Sequence, residues 1–249
     1  MLASLPMYER PELAEAHGEY WALIRSNLAK SGIDAPEKLS VDGLGTTFWT
    51  DPELALSQTC GYPYRTCLHD KVALVGTPDY GVAGCPPGYY RSCFVVRRRD
   101  SRPDLAAFRE ACFAFNEIGS QSGFVAAQAE AVKHGFRFQN RIETGAHRVS
   151  AVAVANRDAD IACLDAVTWR LMQNHDDVAN DLKVLTMTEP TPGLPYICAL
   201  SVDSAAVFSA VAHAINALPE KYQKALTIKG ICPLQPRDYL ALNRTADMG

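Results

Sequence analysis

The stretch Asn116-Glu117-Ile118-Gly119-Ser120-Gln121-Ser122-Gly123-Phe124 decides how this chain is read. Before it, Ala111 to Phe115 is a short apolar run of the kind that forms a buried strand. After it, Val125-Ala126-Ala127-Gln128-Ala129-Glu130-Ala131-Val132 has the composition of a helix. Two hydroxyls, a carboxamide and a glycine therefore stand where a strand hands over to a helix N-terminus. The amides of a first helical turn have no intrahelical acceptor and together carry about half a positive charge. Such a turn can hold an oxyanion without a lysine. The same residues also suit plain capping of the helix by Ser120 or Ser122. On this segment alone both readings stay open.

The alternation continues on either side. Leu2 to Leu5 reads as a first strand. Glu9-Arg10-Pro11 opens a helix that Gly32 ends, with Leu13, His17, Tyr20, Trp21, Ile24 and Leu28 at helical spacing. Thr50-Asp51-Pro52 reads as the cap of a short helix running to about Ser57. Val72 to Gly76 and Cys93 to Val96 read as buried strands, Arg148 to Asn156 as a helix, and Ile161 to Leu164 as a strand. Asp165 caps a helix expected to reach Leu182, and Asp203 caps another to Leu218. This order predicts α/β layers with helices on both faces. Glycine and proline concentrate at Gly76 to Tyr90 and at Pro190 to Pro195. These mark two crossings between a discontinuous domain, 1–89 with 192–249, and an inserted domain, 90–191.

Composition narrows the function classes. At 48% hydrophobic and 21% charged, with a net charge of -4, the chain is neither disordered nor fibrous. Arg97-Arg98-Arg99 runs straight into Asp100 and reads as a strand end, so no nucleic-acid partner is expected. The longest apolar stretch, Ala205 to Leu218, contains His213 and Asn216 and is too short to cross a bilayer, so no membrane insertion is expected. A monomer is expected. No export leader is legible after Met1, which leaves a cytoplasmic chain and one separated from its leader both open. Of eight cysteines, Cys112, Cys163 and Cys198 lie in apolar runs, while Cys60/Cys67 and Cys85/Cys93 have the spacing of a local disulfide; at most one is expected. Cys60, Cys67 and His69 lack a fourth ligand at zinc spacing, so no metal is expected. Gly43-Leu44-Gly45 carries phenylalanine where a dinucleotide fingerprint needs its last glycine, and neither a phosphate-binding G-x-x-x-x-G-K-S/T nor a G-x-S-x-G elbow occurs. No cofactor and no catalytic residue are expected.

Other segments supply candidate ligand groups. Gln58-Thr59-Cys60-Gly61-Tyr62-Pro63 is a turn rich in donors, from which Gln58, Thr59 and the Tyr62 hydroxyl could face a ligand. Thr144-Gly145-Ala146-His147 precedes a helix, making His147 a second donor to an anion. Asp165 ends a strand and opens a helix; it suits a cap, or a partner for a ligand amine. Tyr8 suits an aromatic wall or the core.

Taken in order, Leu5-Pro6-Met7-Tyr8, Gln58 to Pro63, Gly76-Thr77-Pro78-Asp79-Tyr80, Ser120-Gln121-Ser122-Gly123, Thr144 to His147 and Thr191-Pro192-Gly193-Leu194-Pro195 resemble the phosphate/phosphite/phosphonate substrate-binding proteins of bacterial ABC transporters. The resemblance implies a type II periplasmic-binding-protein fold: two α/β lobes, two crossovers and a ligand cleft between the lobes that closes on a hinge. It implies capture of a small oxyanion for an ABC permease, in the periplasm. In that family a Ser-Thr-Ser-Gly turn grips the phosphonate oxygens; here Ser120, Gln121, Ser122 and Gly123 match it, with glutamine in place of threonine. The family's glycine-preceded histidine matches His147, its tyrosine-bearing turn matches Gln58 to Tyr62, and Asp165 is nearest to the acidic residues that read an aminoalkyl tail. Two other readings stand beside it: an enzyme on the same scaffold, with His147 or a cysteine as the reacting group, and a cytoplasmic ligand sensor.

Overall fold

A computed structural model describes residues 1–41 and 43–242. Asp42 and residues 243–249, which the reading above places in the discontinuous domain, lie outside the described residues. The chain divides into two compact units. The first is built from Met1–Tyr89 and Pro192–Ala241, the second from Tyr90–Thr191.

The first unit contains a five-stranded sheet in the order Leu2–Ser4, Leu54–Gln58, Tyr196–Ala199, Val72–Asp79, Gly230–Cys232. Leu2–Ser4 and Leu54–Gln58 are parallel. Tyr196–Ala199 runs against both Leu54–Gln58 and Val72–Asp79. The three early strands therefore end at one edge of the sheet, after Ser4, Gln58 and Asp79, and Tyr196 starts there. The helix Ala14–Lys30 buries Tyr20, Trp21, Ile24 and Leu28 along one stripe and packs on the helix Ser204–Ala217. Ile24 and Leu28 are completely inaccessible, and each contributes about 1.5–3 kcal/mol by leaving water.

Leu54–Gln58 corrects the sequence reading, which makes 50–57 a short helix. Thr50 instead closes the preceding turn, Thr46–Trp49, and Asp51 Oδ1 accepts from the Glu53 amide at 2.8 Å before the strand begins. All five strand residues are buried, so the run has no polar face and no period of two to reveal it. The donor-rich turn thus leaves a strand, not a helix, and passes at once into helical turns over Gly61–Pro63 and Tyr64–Leu68.

In the second unit the sheet order is Arg141–Glu143, Phe113–Phe115, Ile161–Asp165, Ser92–Arg97, Leu182–Met187. Phe113–Phe115 is parallel to both neighbours, whereas Ser92–Arg97 is antiparallel to both of its own. Three parallel strands thus end side by side at Phe115, Glu143 and Asp165. Phe94, Phe113 and Phe138 stack in the core, with the last two ring centroids 4.5 Å apart. The helix capped by Asp165 stops at His175, because Asp176 is extended; a separate short turn, Asp177–Asp181, completes the span expected as one helix.

The arginine cluster is tied into this unit. Arg97 donates to the carbonyls of Val154 (3.1 Å) and Ala159 (2.6 Å) and to Asp160 (2.8 Å), fastening the end of the helix His147–Asn156. Arg98 donates to the Asn180 carbonyl at 2.6 Å. None of the eight cysteines is joined in a disulfide, including the pairs Cys60/Cys67 and Cys85/Cys93. Among the described residues no three His, Cys, Asp or Glu side chains gather to hold a metal, and no helix is long and apolar enough to cross a membrane.

Candidate functional site

The oxyanion candidates stand at the edge where the second unit's three parallel strands end. In open α/β sheets that edge is where ligands bind, because loops and helix N-termini converge there. Ser120 takes the N-cap position in extended conformation, and its Oγ accepts from the Gly123 amide at 3.0 Å. The helix begins at Gln121, so the whole Ser-Gln-Ser-Gly run forms its mouth rather than a loop ahead of it. Its first turn is wide: the amides of Phe124 and Val125 both reach the Ser120 carbonyl, at 3.2 and 3.0 Å. Turns widened in this way are frequent at functional sites.

Gly123 is required by close approach. A Cβ there would collide with Asn116 Oδ1 and lie 3.0 Å from His147 Cε1. His147 itself is brought in by the neighbouring loop. Gly145, at φ 86°, makes a left-handed bend, and its amide donates to the Asn116 carbonyl at 2.8 Å. Thr144 and Ser150 hydroxyls, 2.7 Å apart, pin the start of the following helix. As a result Ser122 Oγ lies 3.0 Å from His147 Nε2. The fold thus joins Ser120, Gln121, Ser122 and Gly123 to His147, which lies 25 residues beyond Ser122 in the chain.

His147 is not an imidazolium in this setting. Desolvation pushes its pKa down to about 4, against an opposing pull from the Cys163 backbone, so the ring is neutral near pH 7. On the same edge Glu117 is raised above the usual carboxylate range by burial and by Glu143. Asp165, almost wholly buried, works as a helix cap: its Oδ1 accepts from the amides of Val167 (2.7 Å) and Thr168 (3.0 Å).

The candidates from the first unit gather at the ends of its strands. Gln58 Nε2 donates to the Tyr80 hydroxyl and the Leu194 carbonyl, both at 3.2 Å. Tyr8 meets Tyr80 edge-on, with centroids 4.9 Å apart. The hydroxyls of Tyr20 and Tyr196 are 3.3 Å apart, and burial raises both pKa values. Tyr8, His17, Tyr20, Gln58, Tyr80 and Tyr196 line one small pocket within this unit. Thr59 is buried beside it, with its amide on the Pro195 carbonyl at 3.1 Å. Tyr62 is not among the lining residues; the Arg65 guanidinium sits 4.9 Å from its ring centroid.

Sequence reasoning passed over Asn116, His17, Tyr80 and Tyr196. Asn116 and Tyr80 follow directly on the ends of strands, and that position was the available signal. Tyr196 begins a strand that runs the other way, and His17 looked like one more member of a helical stripe.

A family model described as ABC transporter, phosphonate, periplasmic substrate-binding protein matches residues 55–239. Among curated proteins none matches the sequence. The fold is similar to that of PhnD1 from Prochlorococcus marinus, solved in complex with methylphosphonate, at 12% identity over 97% of this chain and 95% of that one, with a TM-score of 0.72. A binding-protein component of a phosphonate ABC transporter from Pseudomonas aeruginosa shows 16% identity over 99% of this chain and 85% of that one, with a TM-score of 0.71. The aliphatic sulphonate binding protein SsuA from Escherichia coli shows 14% identity over 100% and 86%, with a TM-score of 0.61. These likenesses identify the type II periplasmic-binding-protein fold.

Proposed function

Because the chain belongs to the family of periplasmic substrate-binding proteins of phosphonate ABC transporters, we propose that its ligand is a small phosphorus oxyanion: a phosphonate, phosphite or phosphate. Ser120, Gln121, Ser122, Gly123 and His147 hold the oxygens. Tyr8, Gln58, Thr59 and Tyr62 are the ligand groups proposed from the first unit. Asp165 enters only through the helix it caps. The family's role is to bind a small molecule and deliver it to a permease, and the site has the matching chemistry.

One observation carries this reading. A serine-capped helix mouth, opened by a wide turn and closed over by a neutral histidine, sits at the carboxyl ends of three parallel strands. Such a mouth offers amide and hydroxyl hydrogens to an anion.

A thermal-shift screen of the dialysed protein tests the proposal, with phosphate, phosphite, methylphosphonate, aminoethylphosphonate and sulfate as ligands. At least one phosphorus oxyanion should raise the melting temperature in a concentration-dependent way. No shift with any of them at millimolar concentration would reject it.

A further inference from the structure

Asn116 follows the central parallel strand of the second unit and packs directly against Gly123 at the helix mouth. Its Oδ1 is buried and accepts no hydrogen bond. A buried acceptor without a donor is uncommon and costs free energy, so a hydrogen is expected to arrive there with the ligand. The neighbouring groups do not supply one. The Gly123 amide already donates to Ser120 Oγ, and the Ser122 hydroxyl and His147 Nε2 face each other.

We propose that this site selects the singly protonated oxyanion, with Asn116 Oδ1 accepting the P–OH hydrogen; this rests on the reading of the site given above. The charges around Asn116 agree. No residue from Asn116 to Phe124 is a lysine or arginine. The facing helix contributes His147, which is neutral near pH 7. Glu117 and Glu143 add negative charge at the rim, and burial raises the Cys163 thiol, so it stays neutral there. Asp165 is turned to its own helix. Arg141, on the neighbouring strand, is exposed and lies over the Phe124 ring, 5.3 Å from its centroid. A helix mouth with about half a positive charge compensates one negative charge better than two. A sulfonate of the same shape carries the single charge but has no hydrogen to give.

The test is calorimetry on the full chain with methylphosphonate and methanesulfonate, between about pH 6 and about pH 8.5, the range around histidine and second phosphoryl ionisation. Methylphosphonate affinity should fall about tenfold per pH unit above the ligand's second ionisation, as one-proton linkage requires. Methanesulfonate should bind at least about tenfold more weakly at the acidic end, the cost of an acceptor left unpaired. Because methanesulfonate does not titrate, its own profile reports any contribution from Glu117 or His147. Asn116→Leu should erase the preference for phosphonate over sulfonate, and Asn116→Asp, which keeps an acceptor, should retain it. Thermal melting establishes that each variant is folded; if Asn116→Leu is not, the wild-type profile and the sulfonate comparison decide. Equal affinity for both ligands, or tighter phosphonate binding as pH rises, overturns this inference and leaves the oxyanion reading standing. Binding of neither, with phosphate and phosphite also silent, rejects both.

Discussion

Ser122 Oγ and His147 Nε2 lie 3.0 Å apart, joining the first turn of one helix to the first residue of another. The consequence for binding concerns hydrogen placement. For Ser122 to aim its hydroxyl hydrogen at a ligand, Nε2 must carry a hydrogen and donate it to Oγ. His147 then acts through Ser122 rather than by charge.

Removing either partner should weaken capture. A hydroxyl hydrogen bond to a charged oxygen contributes roughly 1.5–3 kcal/mol. Ser122→Ala should therefore reduce affinity for the tightest-binding phosphorus oxyanion about ten- to a hundredfold, with the amides of the helix mouth retaining the rest. His147→Ala should weaken binding in the same direction. Calorimetry reads both, and wild-type affinity in both variants would move the site elsewhere.

Stability should respond to His147 in acid. Its folded pKa, about 4, lies below the ordinary value of 6.5. The neutral ring's contribution is present in full above the unfolded value and is lost as pH falls from about 6.5 through about 4. Denaturant titrations at neutral pH and near pH 4 should show wild type losing about 1–3 kcal/mol more than His147→Gln over that interval. Parallel losses in the two proteins would mean that the ring is already charged in the folded state.

Gly123→Ala tests the close approach at the helix mouth. The new methyl group meets Asn116 Oδ1 and crowds His147 Cε1. Overpacking of this kind costs about 1–3 kcal/mol. The melting temperature should fall, and oxyanion affinity should fall further than in Ser122→Ala, because the alanine displaces both neighbouring loops. An unchanged melting temperature would show that the loops yield freely.

Gln58→Ala examines the first unit. The truncation leaves the Tyr80 hydroxyl and the Leu194 carbonyl without their shared donor. Loss of about 1–3 kcal/mol in urea unfolding is expected, the usual cost of buried groups left unsatisfied. A change under about 0.5 kcal/mol would place water at Gln58's position instead.

The sequence made much of this architecture legible through local chemistry. Asp165 and Asp203 mark helix starts because a carboxylate there meets two free amides, and both bonds form. Ser120 and Gly123 stood out because hydroxyls and glycine rarely interrupt a strand-to-helix passage without cause. Leu54–Gln58 was not legible, since a strand buried on both faces has no polar side to count from. Nor was the tyrosine-lined pocket: Tyr8, Tyr20, Tyr80 and Tyr196 are far apart in sequence, and only antiparallel entry of Tyr196 between two parallel strands brings them together. Asn116 was missed for a simpler reason. One amide at a strand end is unremarkable until a buried oxygen without a donor singles it out.

The strand Tyr196–Ala199 lies between Leu54–Gln58 and Val72–Asp79, so the first unit's sheet receives an inner member from the last quarter of the chain. All five strands of the second unit's sheet lie within Tyr90–Thr191. On the ribosome the N-terminal segment must therefore wait, with one edge of Leu54–Gln58 and both edges of Val72–Asp79 unpaired, while the inserted segment is made and can fold. Arrest of synthesis just past residue 191 should leave a nascent chain whose inserted segment resists protease and whose first ninety residues do not.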